Sequence, residues 1–107
     1  MSLDFDLFAV RKVSVYEMNL THNLGRMADK AGVYKCLWRP EENDFKIAND
    51  IIEPLTKGLE KLKQSPEKFK KYNPENGWGS YEGLVKVIED TLAACKENPD
   101  AEIRADR

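Results

Sequence analysis

The chain has 107 residues, of which 41% are apolar and 34% charged, and its formal net charge is −2. This length predicts a single domain, 1–107, with its own core. The slightly acidic balance argues against non-specific binding of double-stranded nucleic acid, which needs an excess of Lys and Arg. There is no run of about 20 apolar residues to span a bilayer, and the first six residues lack the features of a signal peptide. We therefore expect a cytoplasmic protein that makes no membrane contact and keeps Cys36 and Cys95 as reduced thiols.

The N-terminal segment, 1–18, has the pattern of a strand or hairpin. Its apolar residues recur at two-residue spacing, which is typical of strands: Phe5, Leu7, Ala9, Val13 and Val15. A first helix is predicted over Leu24–Ala31. Thr21 is a good N-cap for it, and Gly32 is a natural C-terminal stop.

The middle of the chain predicts a connection, a long helix and a long loop. The residues 35–40 form the connection, because the residue before a proline is pushed out of helical geometry. Asp44–Lys63 has the clearest helical period in the chain. Pro54 lies inside it and predicts a kink or a break. The segment Gln64–Gly79, with two prolines and two glycines, is predicted to be the longest loop.

The last helix is predicted to begin after Ser80, whose hydroxyl can cap it, and to end at 98–100. Its apolar stripe follows the helical period: Tyr81, Leu84, Val85, Ile88, Leu92 and Cys95. Ala101–Arg104 could then return as an edge strand beside the N-terminal one. The predicted fold class is α+β, with three main helices packed with a small sheet of N- and C-terminal strands.

Two tryptophan clusters are candidate binding residues. Trp38 and Arg39 could form a stacking and anion-clamping pair, because an indole attracts flat rings and a guanidinium holds carboxylate or phosphate. The alternative is a Trp38 packed in the core and an Arg39 paired with Glu41 or Glu42.

The second cluster is Asn76-Gly77-Trp78-Gly79. Asn-Gly favours a turn, and the second glycine allows the chain to pass close to another group before the helix begins. Trp78 and Tyr81 would form a pocket wall. The alternative is an anchored loop that Trp78 plugs.

Thr21, His22 and Asn23 are the third candidate group. His22 is the only histidine, and at a helix start it would lie beside free backbone N–H groups that can hold an anion. The alternatives are a histidine that bonds a nearby carbonyl and, less favoured, a general base. No set of His, Cys and carboxylates has the spacing of metal ligands, so no metal and no cofactor is expected.

One local excess of positive charge lies between Lys57 and Lys71, with six lysines against two glutamates. With Phe69 and Tyr72 as stacking platforms it could bind single-stranded nucleic acid. A solvated helix face is the favoured interpretation.

The region 19–107 resembles a family of small uncharacterised proteins from bacteria and their phages. The resemblance rests on an ordered set of short motifs: Thr21-His22-Asn23-Leu24, Leu37-Trp38-Arg39-Pro40, Pro66-Glu67-Lys68-Phe69, Asn76-Gly77-Trp78-Gly79 and Asn98-Pro99-Asp100-Ala101. It implies a small intracellular protein of bacterial or phage origin. No activity is established for that family, so the resemblance supplies no catalytic residue.

Three functions remain open from the sequence. The first is a non-enzymatic module that binds a small anionic or aromatic ligand. The second is a protein-interaction module that uses exposed tryptophans, and a homodimer is possible because a sheet edge or aromatic patch invites self-association. The third is a small hydrolase or transferase that uses His22. The residues proposed to bind a ligand are Thr21, His22, Asn23, Trp38, Arg39, Trp78 and Tyr81.

Overall fold

The computed structural model describes residues 2–8 and 14–107. Strands β1 (Ser2–Phe8) and β2 (Ser14–Thr21) pair antiparallel, so the N-terminal segment is a hairpin, as the two-residue spacing predicts. β2 continues to Thr21, three residues past the predicted segment 1–18. Ala9 and Val13 of the predicted pattern lie outside the described residues.

The C-terminal strand lies beside the N-terminal one, which confirms the predicted pairing. β3 (Glu102–Asp106) pairs antiparallel with β1, and the strand order is β2-β1-β3. The observed strand is shifted towards the C-terminus relative to the predicted 101–104. Because β1 is central, its alternate residues Leu3, Phe5 and Leu7 have no solvent-exposed area.

The described residues contain five α-helices, of which three have seven residues or more. They are α1 (Gly25–Ala31), α2 (Tyr34–Leu37), α3 (Asn49–Gln64), α4 (Pro66–Lys70) and α5 (Tyr81–Glu97). The long helices α3 and α5 pack against each other. The Tyr16 hydroxyl lies 2.9 Å from Thr91 Oγ1 and ties β2 to α5. The architecture is therefore α+β, as predicted, and none of the described helices has the length and hydropathy to cross a membrane.

Helix α1 begins later than predicted because Thr21 caps a shorter element first. Its hydroxyl accepts a hydrogen bond from the Asn23 N–H at 3.3 Å, which starts a 3-10 turn over His22–Leu24. α1 then starts at Gly25. Gly32 ends it at φ +83°, the left-handed geometry that glycine adopts without strain, as predicted.

Two predicted connections contain helices instead. The segment 35–40 holds most of α2 and leads into a 3-10 turn at Pro40–Asn43. The predicted loop after Gln64 begins with α4, whose Phe69 is buried in the core. Both helices are shorter than two turns, so no amphipathic period marks them in the sequence.

Helix α3 starts at Asn49 rather than at the predicted Asp44. The Asp50 carboxylate accepts hydrogen bonds from the backbone N–H groups of Lys46 and Ile47, and these bonds hold the preceding segment outside the helix.

Helix α3 is also continuous through Pro54, so the predicted break is wrong. The missing N–H costs one hydrogen bond, while the buried side chains on either side of it, Ile51 and Leu55, keep the helix against the core.

Candidate functional site

Trp78 is the most exposed large apolar side chain in the described residues, at 71% of its full accessible area. It borders a concavity of about 350 Å³. The other lining residues come from the open end of the hairpin, where β1 begins and β2 ends, and from the turn that follows: Ser2, Asn19, Thr21, His22 and Asn23. Four of the seven residues proposed from the sequence, Thr21, His22, Asn23 and Trp78, therefore lie together. We call this feature the Trp78 concavity.

Hydrogen bonds hold the Trp78 backbone in place. The Gly77 N–H donates to Pro74 O at 3.3 Å and closes a turn, as the Asn-Gly pair predicts. The Asn76 side-chain oxygen accepts from the Trp78 N–H at 2.9 Å, and the Asn23 amide donates to Trp78 O at 3.4 Å. The loop is therefore anchored by its backbone and leaves the indole in solvent. The alternative in which Trp78 plugs the loop is wrong.

Gly79 brings the loop against the turn after β2. Its φ is +104°, and a Cβ there would lie 2.9 Å from both Leu24 Cγ and Thr21 Cγ2. Real Cβ atoms do not approach so closely, so only glycine fits without displacement. The predicted close approach at this glycine is confirmed, and it places Trp78 beside Thr21.

The His22 ring is hydrogen-bonded to the buried Trp38 side chain. The Trp38 indole N–H donates to His22 Nδ1 at 2.7 Å. Because Nδ1 accepts this bond, the hydrogen of the neutral ring is assigned to Nε2. The ring therefore offers a donor at Nε2, not a base, and the sequence alternative in which His22 bonds a carbonyl is not what the structure has.

Trp38 and Arg39 do not line the concavity. Trp38 is 2% exposed and stacks on Tyr34, with ring centroids 5.2 Å apart. Arg39 donates to Glu42 at 2.7 Å. This is the arrangement of the alternative considered above, a core tryptophan beside a surface ion pair. Trp38 acts on the concavity only through its bond to His22.

Tyr81 also lies away from the concavity. It is 8% exposed, and its hydroxyl donates to the Leu62 carbonyl, which joins α5 to α3. Its N–H donates to the Asn73 side chain at 2.8 Å. The Ser80 hydroxyl accepts from the Gly83 N–H at 3.0 Å and caps α5 as predicted.

The described lining of the concavity is mostly polar. None of its lining residues is a lysine or arginine. A carboxylate is bound to one of its lining residues, because the Asn19 amide donates to Asp4 Oδ1 at 2.7 Å and also to Ser2 Oγ at 2.9 Å. In the part of the chain that the structure describes, no group of three or more His, Cys, Asp or Glu could hold a metal ion.

Sequence reasoning missed Ser2 and Asn19. Ser2 enters the concavity because it pairs with Thr21 across the hairpin, and the Asn19 amide bonds the Ser2 hydroxyl. The spacing of apolar residues alone does not give this register. The extension of the alternating pattern through Met18 and Leu20 was the available signal.

The lysine-rich segment has the features of a solvated helix face. Lys57 pairs with Glu53 at 3.0 Å, and Lys63 pairs with Glu89 at 2.9 Å. Phe69 is 2% exposed, so it cannot act as a stacking platform for a base. These contacts remove the main support for a single-stranded nucleic-acid site.

No protein-family model, curated protein or solved structure matches the chain. The resemblance to small bacterial and phage proteins therefore stays a prediction.

Proposed function

We propose that the chain is a non-enzymatic binding module whose site is the Trp78 concavity and whose ligand carries an aromatic ring. The observation that carries the proposal is the 71% exposed indole at the border of a 350 Å³ hollow. Ligand sites commonly begin at about 300 Å³ and combine aromatic walls with a few placed polar groups.

The ligand chemistry follows from the lining. A planar ring can stack on Trp78, which is worth roughly 1–3 kcal/mol for a nucleobase. His22 adds a hydrogen-bond donor at Nε2 for a carbonyl or ring nitrogen of the ligand. Arg39, on which an anion clamp depended, is paired with Glu42 outside the concavity. Of the small anionic or aromatic ligand expected from the sequence, we therefore propose the aromatic ring and not the negative charge.

A thermal-shift screen tests this proposal with matched probes: nucleosides, the corresponding nucleoside monophosphates, and aromatic amino acids. A ligand at about a hundred times its Kd stabilises the fold by about 2.7 kcal/mol, which for a domain of this size raises Tm by roughly 10 °C. Equal shifts with a nucleoside and its monophosphate support an aromatic contact without an anion subsite. A larger shift with the monophosphate would favour a negatively charged ligand instead.

Two variants assign any hit to the concavity. Trp78→Ala should weaken binding by roughly 5- to 150-fold if the ring stacks on the indole, and His22→Ala should weaken it less. Val15→Ala is the matched control, because Val15 is also an exposed large apolar residue, at 39%, and is not among the lining residues of the concavity. A ligand whose Kd is the same in the native and Trp78→Ala proteins would refute the assignment.

A protein partner is the second candidate, and the exposure of Trp78 favours it as well. Tryptophan is enriched among the few residues that dominate interface energetics, and this one lies on a rigidly anchored loop. If the ligand screen is flat, the native protein and the Trp78→Ala variant should be compared in a pull-down. A partner enriched only by the native protein, and bound again after purification, supports this function. Identical capture by both proteins would exclude Trp78 as the contact.

A further inference from the structure

The small sheet has one edge that the described residues leave open. At the other edge, β3 is covered, because the Ile103 N–H donates to Lys46 O at 3.0 Å and Ile47 bridges Glu102. β2 pairs with β1 on one side only. Alternate residues of an edge strand point their N–H and C=O groups away from the sheet. Within residues 14–107 and 2–8, no segment pairs with that side of β2.

β2 has few of the devices that protect an edge: one charged residue, Glu17, and a register irregularity opposite Ser14 at its start. It spans eight residues and contains no lysine and no proline, which are the residues that commonly block edge pairing. Its core-facing side chains Tyr16 and Met18 are only half-buried, whereas Leu3 and Phe5 of the central strand are fully buried. An added strand would cover the apolar area that Tyr16 and Met18 still expose.

The outer face of the sheet beside this edge is acidic. A hollow of about 420 Å³ extends over this face across all three strands, and its acidic lining residues are Asp4 and Asp6 of β1, Glu17 of β2 and Asp106 of β3. Asp6 pairs with Glu17 across β1 and β2, and Asp4 pairs with Asp106 across β1 and β3. Burial first, and then repulsion by Glu17, Asp4 and Asp106, raise the pKa of Asp6. The Arg104 guanidinium opposes this effect.

These charges distinguish between two possible occupants of the edge. A second copy joined through β2 would place two acidic faces side by side in one continuous sheet, and like charges on neighbouring strands destabilise the pairing. A segment that brings lysine or arginine to the outer face would instead pair with Glu17 and reduce the repulsion at Asp6. The charge therefore favours a basic strand over self-association.

We propose that the open edge of β2 accepts an extended partner segment with alternating basic and apolar residues, which adds as a fourth strand. Its basic side chains lie on the outer face next to Glu17, and its apolar side chains cover Tyr16 and Met18. Strand addition of this kind takes its affinity from main-chain hydrogen bonds and its specificity from alternate side chains. The inference goes beyond the function proposed above and does not depend on Trp78.

The test uses three synthetic seven-residue peptides with blocked ends. The first alternates lysine and valine, the second alternates glutamate and valine, and the third has the composition of the first with all its lysines placed before its valines. Binding is followed at low ionic strength by amide chemical shifts of the uniformly ¹⁵N-labelled protein and by amide hydrogen exchange. We expect the first peptide alone to bind and to slow exchange at alternate amides of β2, with weaker binding as salt is added.

Variants separate the edge from non-specific charge attraction. Glu17→Gln should weaken binding of the lysine–valine peptide by roughly 1.4- to 5-fold, the range for one exposed ion pair. Glu60→Gln is the matched control, because Glu60 is an exposed carboxylate on α3 far along the chain from the sheet, and it should change nothing. Trp78→Ala should also bind the peptide normally, which keeps this test independent of the Trp78 concavity.

Three results would overturn the proposal. One is an absence of binding by the lysine–valine peptide at millimolar concentration. Another is equal binding by the block peptide, which would show charge attraction without strand addition. The third is a dimer of the free protein in analytical ultracentrifugation with protected β2 amides, which would show that a second copy occupies the edge.

Discussion

The pair of glycines around Trp78 allows a direct test of how the loop is held. Both have positive φ, +76° at Gly77 and +104° at Gly79, but they differ in surroundings. A Cβ at Gly77 would meet nothing within 4 Å, whereas a Cβ at Gly79 would lie 2.9 Å from Leu24 Cγ and from Thr21 Cγ2. Gly77→Ala therefore adds backbone strain alone, and Gly79→Ala adds strain and a steric clash.

The expected magnitudes differ by several fold. For Gly77→Ala, about 1–2 kcal/mol of left-handed strain is partly offset by about 0.4–1 kcal/mol from the stiffer unfolded chain, so the net loss should be about 1 kcal/mol. For Gly79→Ala, overpacking against a buried leucine adds about 1–3 kcal/mol. The net loss should reach about 2–4 kcal/mol, which a domain with a typical stability of about 5–15 kcal/mol can survive.

Urea unfolding followed by far-UV circular dichroism measures both free energies of unfolding. A rescue variant then identifies the clash: Thr21→Ser removes Cγ2 but keeps the capping hydroxyl, so it should recover part of the loss in the Gly79→Ala background. Such coupling between contacting residues is commonly about 0.5–3 kcal/mol. Equal destabilisation by Gly77→Ala and Gly79→Ala, or no coupling to Thr21→Ser, would refute the close approach that places Trp78 beside the turn.

Three further predictions concern the core behind the site. In Gly58→Ala the new Cβ would lie 2.2 Å from Val33 Cγ1, and such overpacking costs about 1–3 kcal/mol. Alanine favours helices over glycine by about 1 kcal/mol, so the net destabilisation should be up to about 2 kcal/mol; a stabilised variant in urea unfolding would contradict this. Trp38→Phe removes the indole N–H that bonds the imidazole and should lower the free energy of unfolding by about 1–3 kcal/mol, whereas an unchanged urea midpoint would show that the bond contributes nothing. Burial raises the pKa of Cys36 to about 11 and that of Cys95 to about 12 from the ordinary 9.0, so their contribution to stability is complete below pH 9 and is lost as the pH rises towards these values. The drop in urea midpoint between pH 8 and pH 10.5 should be smaller when both are alanine, and an equal drop would contradict the linkage.

The fold could be predicted from the sequence where local chemistry and period agree. The hairpin pattern, the caps at Thr21 and Ser80, the stop at Gly32 and the return of the last strand are all encoded within a few residues. α2 and α4 could not be predicted, because each has too few residues to display a helical period. The start of α3 was also hidden, since it depends on the Asp50 side chain.

Only four of the seven site residues proposed from the sequence line the concavity, and the reason differs from that for the helices. Trp38 stands between Leu37 and Arg39, and Trp78 stands between two glycines, so neither neighbourhood decides whether the indole is buried. The two tryptophans differ in their tertiary contacts. The Trp38 N–H donates to His22, which lies sixteen positions away in the chain. A bond of that range has no sequence pattern, and the same limit hides the contribution of Ser2, which joins the concavity through strand pairing.

The exposure of Trp78 supports the proposed binding role on energetic grounds. A tryptophan buries about 150–250 Å² in a core, which stabilises the fold by roughly 4–6 kcal/mol at 25 cal/mol per Å². The exposed Trp78 indole does not contribute most of this free energy. A loose loop does not explain this exposure, because Asn76, Asn23 and Gly79 fix the backbone at Trp78 and beside it. A rigid loop that holds a large apolar ring in water does not contribute to folding through that ring. The burial is available to a ligand or partner instead, and since the backbone is already ordered, binding there costs little further conformational entropy.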